Sequence, residues 1–122
     1  MKSSQIGISR AYDRPLNGSG ARFLVDRVWP RGVTKEELHL DGWLRDVAPS
    51  DELRRWFAHD PKRWREFVSR YRSELDSHPA VLQPILDAAG KGPVTLLFGA
   101  RDPEHNQAVV LRDYLLAKLA HH

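Results

Sequence analysis

The side chains able to do chemistry fall into three short stretches of this 122-residue chain. The first holds Arg10, Tyr12 and Asp13, and the second is Asp26-Arg27-Val28-Trp29-Pro30-Arg31-Gly32. The third holds Arg101, Asp102, His105 and Asn106. An arginine fork matches a phosphate or a carboxylate in shape and charge. Arg27 and Arg31, with Arg10 assisting, are therefore the candidate holders of a small anion. Asp26 or Asp13 would serve as a general base, and His105 as an acid or base near neutral pH. Trp29 offers a flat face to a ring, and Tyr12, Arg101, Asp102 and Asn106 complete the polar set.

Each of these residues also has a purely structural reading. Asp102 is a natural helix cap. Arg27 and Arg31 would pair with Asp26 and Asp13 in an internal ion network, and Trp29 would belong partly to the core. His59, in Trp56-Phe57-Ala58-His59-Asp60, reads as a turn residue with a general-base role as its alternative. Trp56, Trp64, Phe67 and Tyr71 repeat at helical spacing and read as core. The chain has no Gly-Lys-Ser/Thr phosphate loop, no Gly-x-Gly-x-x-Gly, no Gly-x-Ser-x-Gly and no His-Glu-x-x-His. Asp26, Asp102 and His105 would have to come from different segments to share a metal, so no metal site is assigned and no cofactor is named.

What makes the three stretches one candidate site is the elements that carry them. Ile6 to Arg10 reads as a strand, and Phe23-Leu24-Val25 as a second one, stopped by Pro30 and Gly32. Val94 to Phe98 is a nearly continuous apolar run, the pattern of a strand buried on both faces. Each polar stretch follows one of these strands. In open α/β sheets ligands bind beyond the carboxyl ends of the strands, so parallel strands would bring the three groups to one edge.

Four helices are expected to cover the sheet. One starts near Ser50, with Asp51 and Glu52 in its first turn, and one opens at Asp60-Pro61. A third covers about 80–89, stops at Gly90 and is kinked or delayed by Pro84; the fourth opens at Asp102-Pro103 and runs to about Ala120. Residues 33–49 would add a short helix or a further strand. Residues 11–21 are few for a parallel crossover. The first two strands are therefore expected either to be antiparallel or to be joined by an extended loop through Pro15-Leu16-Asn17-Gly18-Ser19-Gly20. The expected architecture is a small α/β fold: a mostly parallel sheet of three to four strands under about four to five helices, in one domain over residues 1–122.

Composition narrows the function classes. Hydrophobic residues make up 41% and charged residues 29% of the chain, which excludes a disordered polymer. No apolar run approaches the roughly 20 residues of a spanning helix, so no membrane partner is expected. The absence of cysteine excludes disulfides, thiolate metal sites and thiol catalysis, and suits the cytoplasm. The formal charge of +3 favours anionic partners. His121-His122 would be native or part of a purification tag.

Six segments resemble one bacterial family. They are Arg10-Ala11-Tyr12-Asp13-Arg14-Pro15, Val25 to Gly32, Ala48-Pro49-Ser50, Leu53 to Asp60, Trp64-Arg65-Glu66-Phe67 with Arg70-Tyr71, and Leu96 to Asp102 with His105-Asn106. Over nearly the whole chain they look like the YeaO-like proteins, domain of unknown function 488. The resemblance implies a compact α/β domain without implying an activity. Some members carry a MarR-type regulator label, yet a winged helix-turn-helix needs a recognition helix and a β-wing, and the central feature here is a buried strand. A longer branch of the family carries Cys-His-Arg where this chain has Asn106-Gln107-Ala108, so a thiol mechanism does not transfer. The leading expectation is a binding site, or an enzyme, for a small anion such as a phosphate or nucleotide. The alternatives are a nucleic-acid-binding or regulatory protein, and a partner-binding module that uses Trp29 or Trp43.

Overall fold

The structure, a computed structural model, describes residues 5–16, 18 and 20–120. Asn17 and Ser19 of the expected loop, and the His121-His122 pair, lie outside the described residues. Four strands, β1 (Ile6–Arg10), β2 (Ala21–Leu24), β3 (Gly42–Trp43) and β4 (Val94–Phe98), form one sheet in the order β1-β4-β2-β3. Every pairing is parallel, with Ile6 opposite Val94, Ala21 opposite Val94 and Phe23 opposite Gly42. Five α-helices accompany it: α1 (Lys35–Leu38), α2 (Asp51–Phe57), α3 (Trp64–Ser77), α4 (Gln83–Ala89) and α5 (Gln107–Ala120). This is the small α/β fold expected, with a sheet that is wholly parallel.

β4 is central and every one of its residues is buried. Its alternate side chains serve two cores. Val94, Leu96 and Phe98 join Phe23 and Val25 beneath the helices, where Phe57 of α2, Phe67 and Tyr71 of α3, Ile85 of α4 and Leu111 of α5 meet them. Leu97 points the other way, with Leu24, Ala11, Val33 and Leu38. Four helices thus cover one face, while the other is closed by loops and the single turn of α1.

β1 and β2 are parallel but not neighbours, because β4 lies between them. The extended-loop expectation therefore holds, and the antiparallel one does not. The connection runs back over β4 so closely that a Cβ on Gly18 would lie 2.3 Å from the Thr95 side chain, and one on Gly20 would lie 2.0 Å from the Pro93 carbonyl oxygen. Both glycines hold left-handed backbone, φ 85° and 78°. The chain supplies glycine where neither a side chain nor ordinary φ is admissible. Residues 33–49 contain both alternatives: α1 and β3.

The helix starts show how local chemistry sets the frame. Ser50 caps α2 by accepting from the Leu53 amide. Asp60 caps a 3₁₀ turn, Pro61–Arg63, that leads into α3. Pro84 lies in the first turn of α4 and so delays its start rather than kinking it. The helix expected to open at Asp102-Pro103 begins instead at Gln107. Asp102 Oδ1 accepts from the amides of Glu104 and His105 and closes a turn there. Asn106 is the actual cap, its Oδ1 accepting from Ala108 and Val109.

Candidate functional site

The carboxyl ends of β2 and β4 open into a cleft of about 270 Å³. That lies just below the roughly 300–1,000 Å³ usual for small-molecule pockets, so its occupant would be small. Asp26 is the first residue beyond the β2 pairing, which ends where the Val25 amide donates to the Leu97 carbonyl. Its Oδ2 accepts from the Gly99 amide at 2.8 Å, and its Oδ1 accepts from Gln107 Nε2. Its backbone carbonyl accepts from Trp43 Nε1 at 2.7 Å. One aspartate thus joins the ends of two strands to the first turn of α5. A Cβ on Gly99 would lie 2.9 Å from Asp26 Oδ2, so the close approach requires glycine there. Burial pushes the Asp26 carboxyl up from 3.8 to about 6, against the lowering effect of the Gly99 and Gln107 hydrogen bonds and of the Arg54 charge.

The far wall is aromatic. Phe57 at the end of α2 stacks on Phe67 of α3 at 4.3 Å between ring centroids, and Trp64 stacks on Phe67 at 5.6 Å. Ala58 and His59 then take consecutive left-handed conformations, φ 47° and 55°, which turn the chain and leave His59 exposed at the rim. Two guanidinium groups share the hollow. Arg27 is anchored: its Nε donates to the Pro49 carbonyl and an Nη to that of Ala48, at 3.1 and 3.2 Å. Arg54 is exposed and pairs with Asp51 at 2.9 Å, and the same Asp51 oxygen lies 3.8 Å from Arg27 Nε.

Of the residues singled out in the sequence, Tyr12, Asp26, Arg27, Trp29 and Asn106 line this cleft. Arg10, Asp13, Arg31, Arg101, Asp102 and His105 do not. Arg10 donates to the Ala100 carbonyl and lies over the Tyr12 ring, whose hydroxyl donates to the Arg31 carbonyl. His105 faces Asp102 through Nδ1 at 2.9 Å and meets the edge of Trp64. Hydrogen bonds from the Glu104 amide and from His105 hold the Asp102 carboxyl below its ordinary range. Trp29 donates to the Val33 carbonyl and meets Trp43 edge-on at 5.3 Å, so the two indoles brace the loop that carries Asp26. Among the described residues, no three His, Cys, Asp or Glu side chains gather to hold a metal ion, and no helix is long and apolar enough to cross a membrane.

Sequence reasoning did not single out Arg54, Phe57, Gly99 or Gln107 for the site. Gln107 was within reach, one residue beyond the third polar stretch. Arg54 carries no local sign, because an arginine on a capped helix looks like any solvated charge.

Comparison with known proteins places the fold in a family. The family model described as "Inactive DUF488-N3 subclade" matches residues 5–122. The uncharacterized protein YeaO of Escherichia coli (strain K12) is 40% identical over 110 residues, covering 90% of this chain and 96% of its own. The uncharacterized protein Rv3073c of Mycobacterium tuberculosis (strain H37Rv) is 36% identical over 115 residues, covering 94% and 97%. No solved structure gives a significant match. With the match spanning nearly every residue of the sheet, the cleft and its helices, this chain belongs to the DUF488 family, in its inactive N3 subclade.

Proposed function

We propose that the cleft beyond β2 and β4 binds a small anionic molecule carrying a flat ring. The observation that supports this most is the shared hollow itself. Arg27 and Arg54 stand with the Phe57–Phe67 stack in one small cavity, so charge and ring have a place at the same time. Arg54 is the residue that would take the anion. Its partner Asp51 is a surface pair, worth about 0–1 kcal/mol, so a phosphate or carboxylate can displace it cheaply. Arg27, tied to two carbonyls, adds its charge from a fixed position. Asp26 faces the polar edge of the ring.

Binding without turnover is the favoured form of this reading. The matching subclade is described as inactive, and at the position where a related branch carries a cysteine this chain has Asn106, which is engaged as a helix cap. Asp26 is spent on holding β2, β4 and α5 together. The test is thermal unfolding with inorganic phosphate and with phenyl phosphate, on the wild type and on Arg54→Ala. Both ligands should raise the Tm of the wild type, phenyl phosphate more than phosphate, and Arg54→Ala should lose the response. No stabilisation of the wild type, or equal stabilisation of the variant, would overturn the reading.

A further inference from the structure

The cleft holds one carboxylate among its cations. Of the described residues that line it, Arg27, Arg54 and His59 can carry positive charge, and Asp26 is the sole carboxyl group. That carboxyl is held in place: Oδ2 accepts from the Gly99 amide just beyond β4, and Oδ1 accepts from Gln107 Nε2 at the start of α5. It cannot swing out into solvent without breaking both bonds. Burial pushes it up to about 6, while the Gly99 and Gln107 hydrogen bonds and the Arg54 charge work the other way. Arg54 thus stands close enough for its charge to act on Asp26. The same guanidinium is the one that would take the anion. An anion seated there cancels the cation that favours ionised Asp26, and it adds a like charge to a cavity of only about 270 Å³. Both effects favour the neutral carboxyl.

We infer that the cleft binds its anion together with a proton, which is held on Asp26. This rests on the reading of the cleft as an anion site and adds its regulation, since affinity then depends on pH. Coupling of this kind is reciprocal: an anion that favours the protonated carboxyl is bound more tightly by the protonated form, by the same factor. Like charges sharing one small, half-buried cavity make that factor about tenfold. Below about pH 6 the empty cleft already carries the proton, and the anion binds at full strength. As pH rises through 6 the empty cleft ionises, so binding must draw a proton from solution and the affinity falls. It levels off about one pH unit higher, where the occupied cleft ionises too. The groups around Asp26 leave few other sources for such a dependence. On its own loop Arg27 is tied to two carbonyls, and α2 contributes Arg54 with its partner Asp51. On α3, Tyr71 is buried, donates to the Val47 carbonyl and stays neutral. From β4 and α5 come the uncharged Gly99 amide and Gln107. His59, between α2 and α3, is the remaining group at the rim that can take a proton. A cation there would favour the anion in the same direction, so the experiment must separate it from Asp26.

Isothermal titration with phenyl sulfate tests the inference. This probe has the ring and the anionic group of phenyl phosphate but keeps one negative charge at every pH used, so only protons of the protein enter. In the wild type the association constant should fall about tenfold between pH 5 and pH 8, most steeply between 6 and 7. Heats in two amine buffers of different ionisation enthalpy should show about half a proton taken up per ligand near pH 6.5. Asp26→Asn, neutral throughout, should bind without that fall, and His59→Gln should keep it. If Asp26→Asn does not fold, the ¹³C carboxyl resonance of Asp26 in the wild type gives the answer: its titration should move up by about one pH unit under saturating phenyl sulfate. Binding that ignores pH and takes up no proton leaves the anion cleft standing and refutes the coupling. So does a fall that persists in Asp26→Asn and vanishes in His59→Gln. No binding at any pH, or equal binding by Arg54→Ala, overturns the anion reading and the coupling with it.

Discussion

Asp26 is where folding and ligand chemistry compete for one carboxylate. Its ordinary value of 3.8 is raised to about 6 by burial. The folded form therefore holds a proton that the unfolded chain has already released between those two values. The sign follows directly. Stability contributed at this position is greatest below about pH 4 and is lost as pH rises to about 6, by roughly 1.4 kcal/mol per pH unit, or about 3 kcal/mol in all. Urea unfolding of the wild type and of Asp26→Asn across pH 4 to 7 checks this. The stability of the wild type relative to the variant should fall from pH 4 to about 6 and level off above it; a flat difference between pH 4 and 6 would contradict it. Gly99→Ala should act on the same carboxylate from the other side. A methyl 2.9 Å from Asp26 Oδ2 must displace it, at about 1–3 kcal/mol, and binding of phenyl phosphate should fall with it. Of these residues, Asp26 was legible in the sequence because a lone acid at the end of an apolar strand stands out. Arg54 and Gln107 were not, because nothing local distinguishes a site residue on a helix from a solvated one.

At the scale of elements, helix ends decide where the cleft is. Asn106→Ala removes the acceptor for two amides at the start of α5, and with it the bond from Asn106 Nδ2 to the Asp102 carbonyl. A loss of about 0.5–2 kcal/mol is expected in denaturant titration, with weaker binding of phenyl phosphate because Asn106 and Gln107 both line the cleft. Ala58 closes α2 at φ 47°, a left-handed position that glycine occupies without strain. Ala58→Gly should thus stabilise the protein by about 1 kcal/mol, an increase that thermal or chemical unfolding would show. β4 was readable to the residue, since burial on both faces leaves a local signature, and β1, only partly buried, was read with the same bounds from its shorter stretch. The start of α5 was misread because Asp102-Pro103 is as good a cap pattern as Asn106. The choice is made in space: only from Asn106 does α5 lay Leu111 and Leu115 into the main core while Gln107 reaches Asp26.

For the whole molecule, the parallel sheet depends on a helix-free return past its central strand. That path is encoded by two glycines and by the second core around Leu24 and Leu97, neither of which announces itself in a hydrophobic pattern. Gly20→Ala places a methyl 2.0 Å from the backbone carbonyl of Pro93, which cannot move without breaking the sheet edge where Ala21 and Val94 begin. The expected loss is at least about 3 kcal/mol, read as a lowered unfolding midpoint; a change below 1 kcal/mol would contradict the close packing of this connection. Charge also belongs to this scale. Residues 51–72 contain seven Lys or Arg and four Asp or Glu, so this stretch alone carries the chain's net +3. Much of it is paired locally, as Arg54–Asp51, Arg63–Asp60 and Arg70–Glu66. Any association with DNA or RNA should therefore be weak and should disappear as salt rises toward 0.2 M, about where nonspecific binding of a few phosphate contacts is lost.

The most direct measurement is an amide NMR titration of ¹⁵N-labelled protein with phenyl phosphate. The account predicts shifts concentrated on the Gly99 amide, the Gln107 side-chain amide and the residues around Arg54 and Phe57, saturating together with a single dissociation constant. Shifts centred instead on Arg31, Arg101 or His105, or none at millimolar ligand, would contradict it.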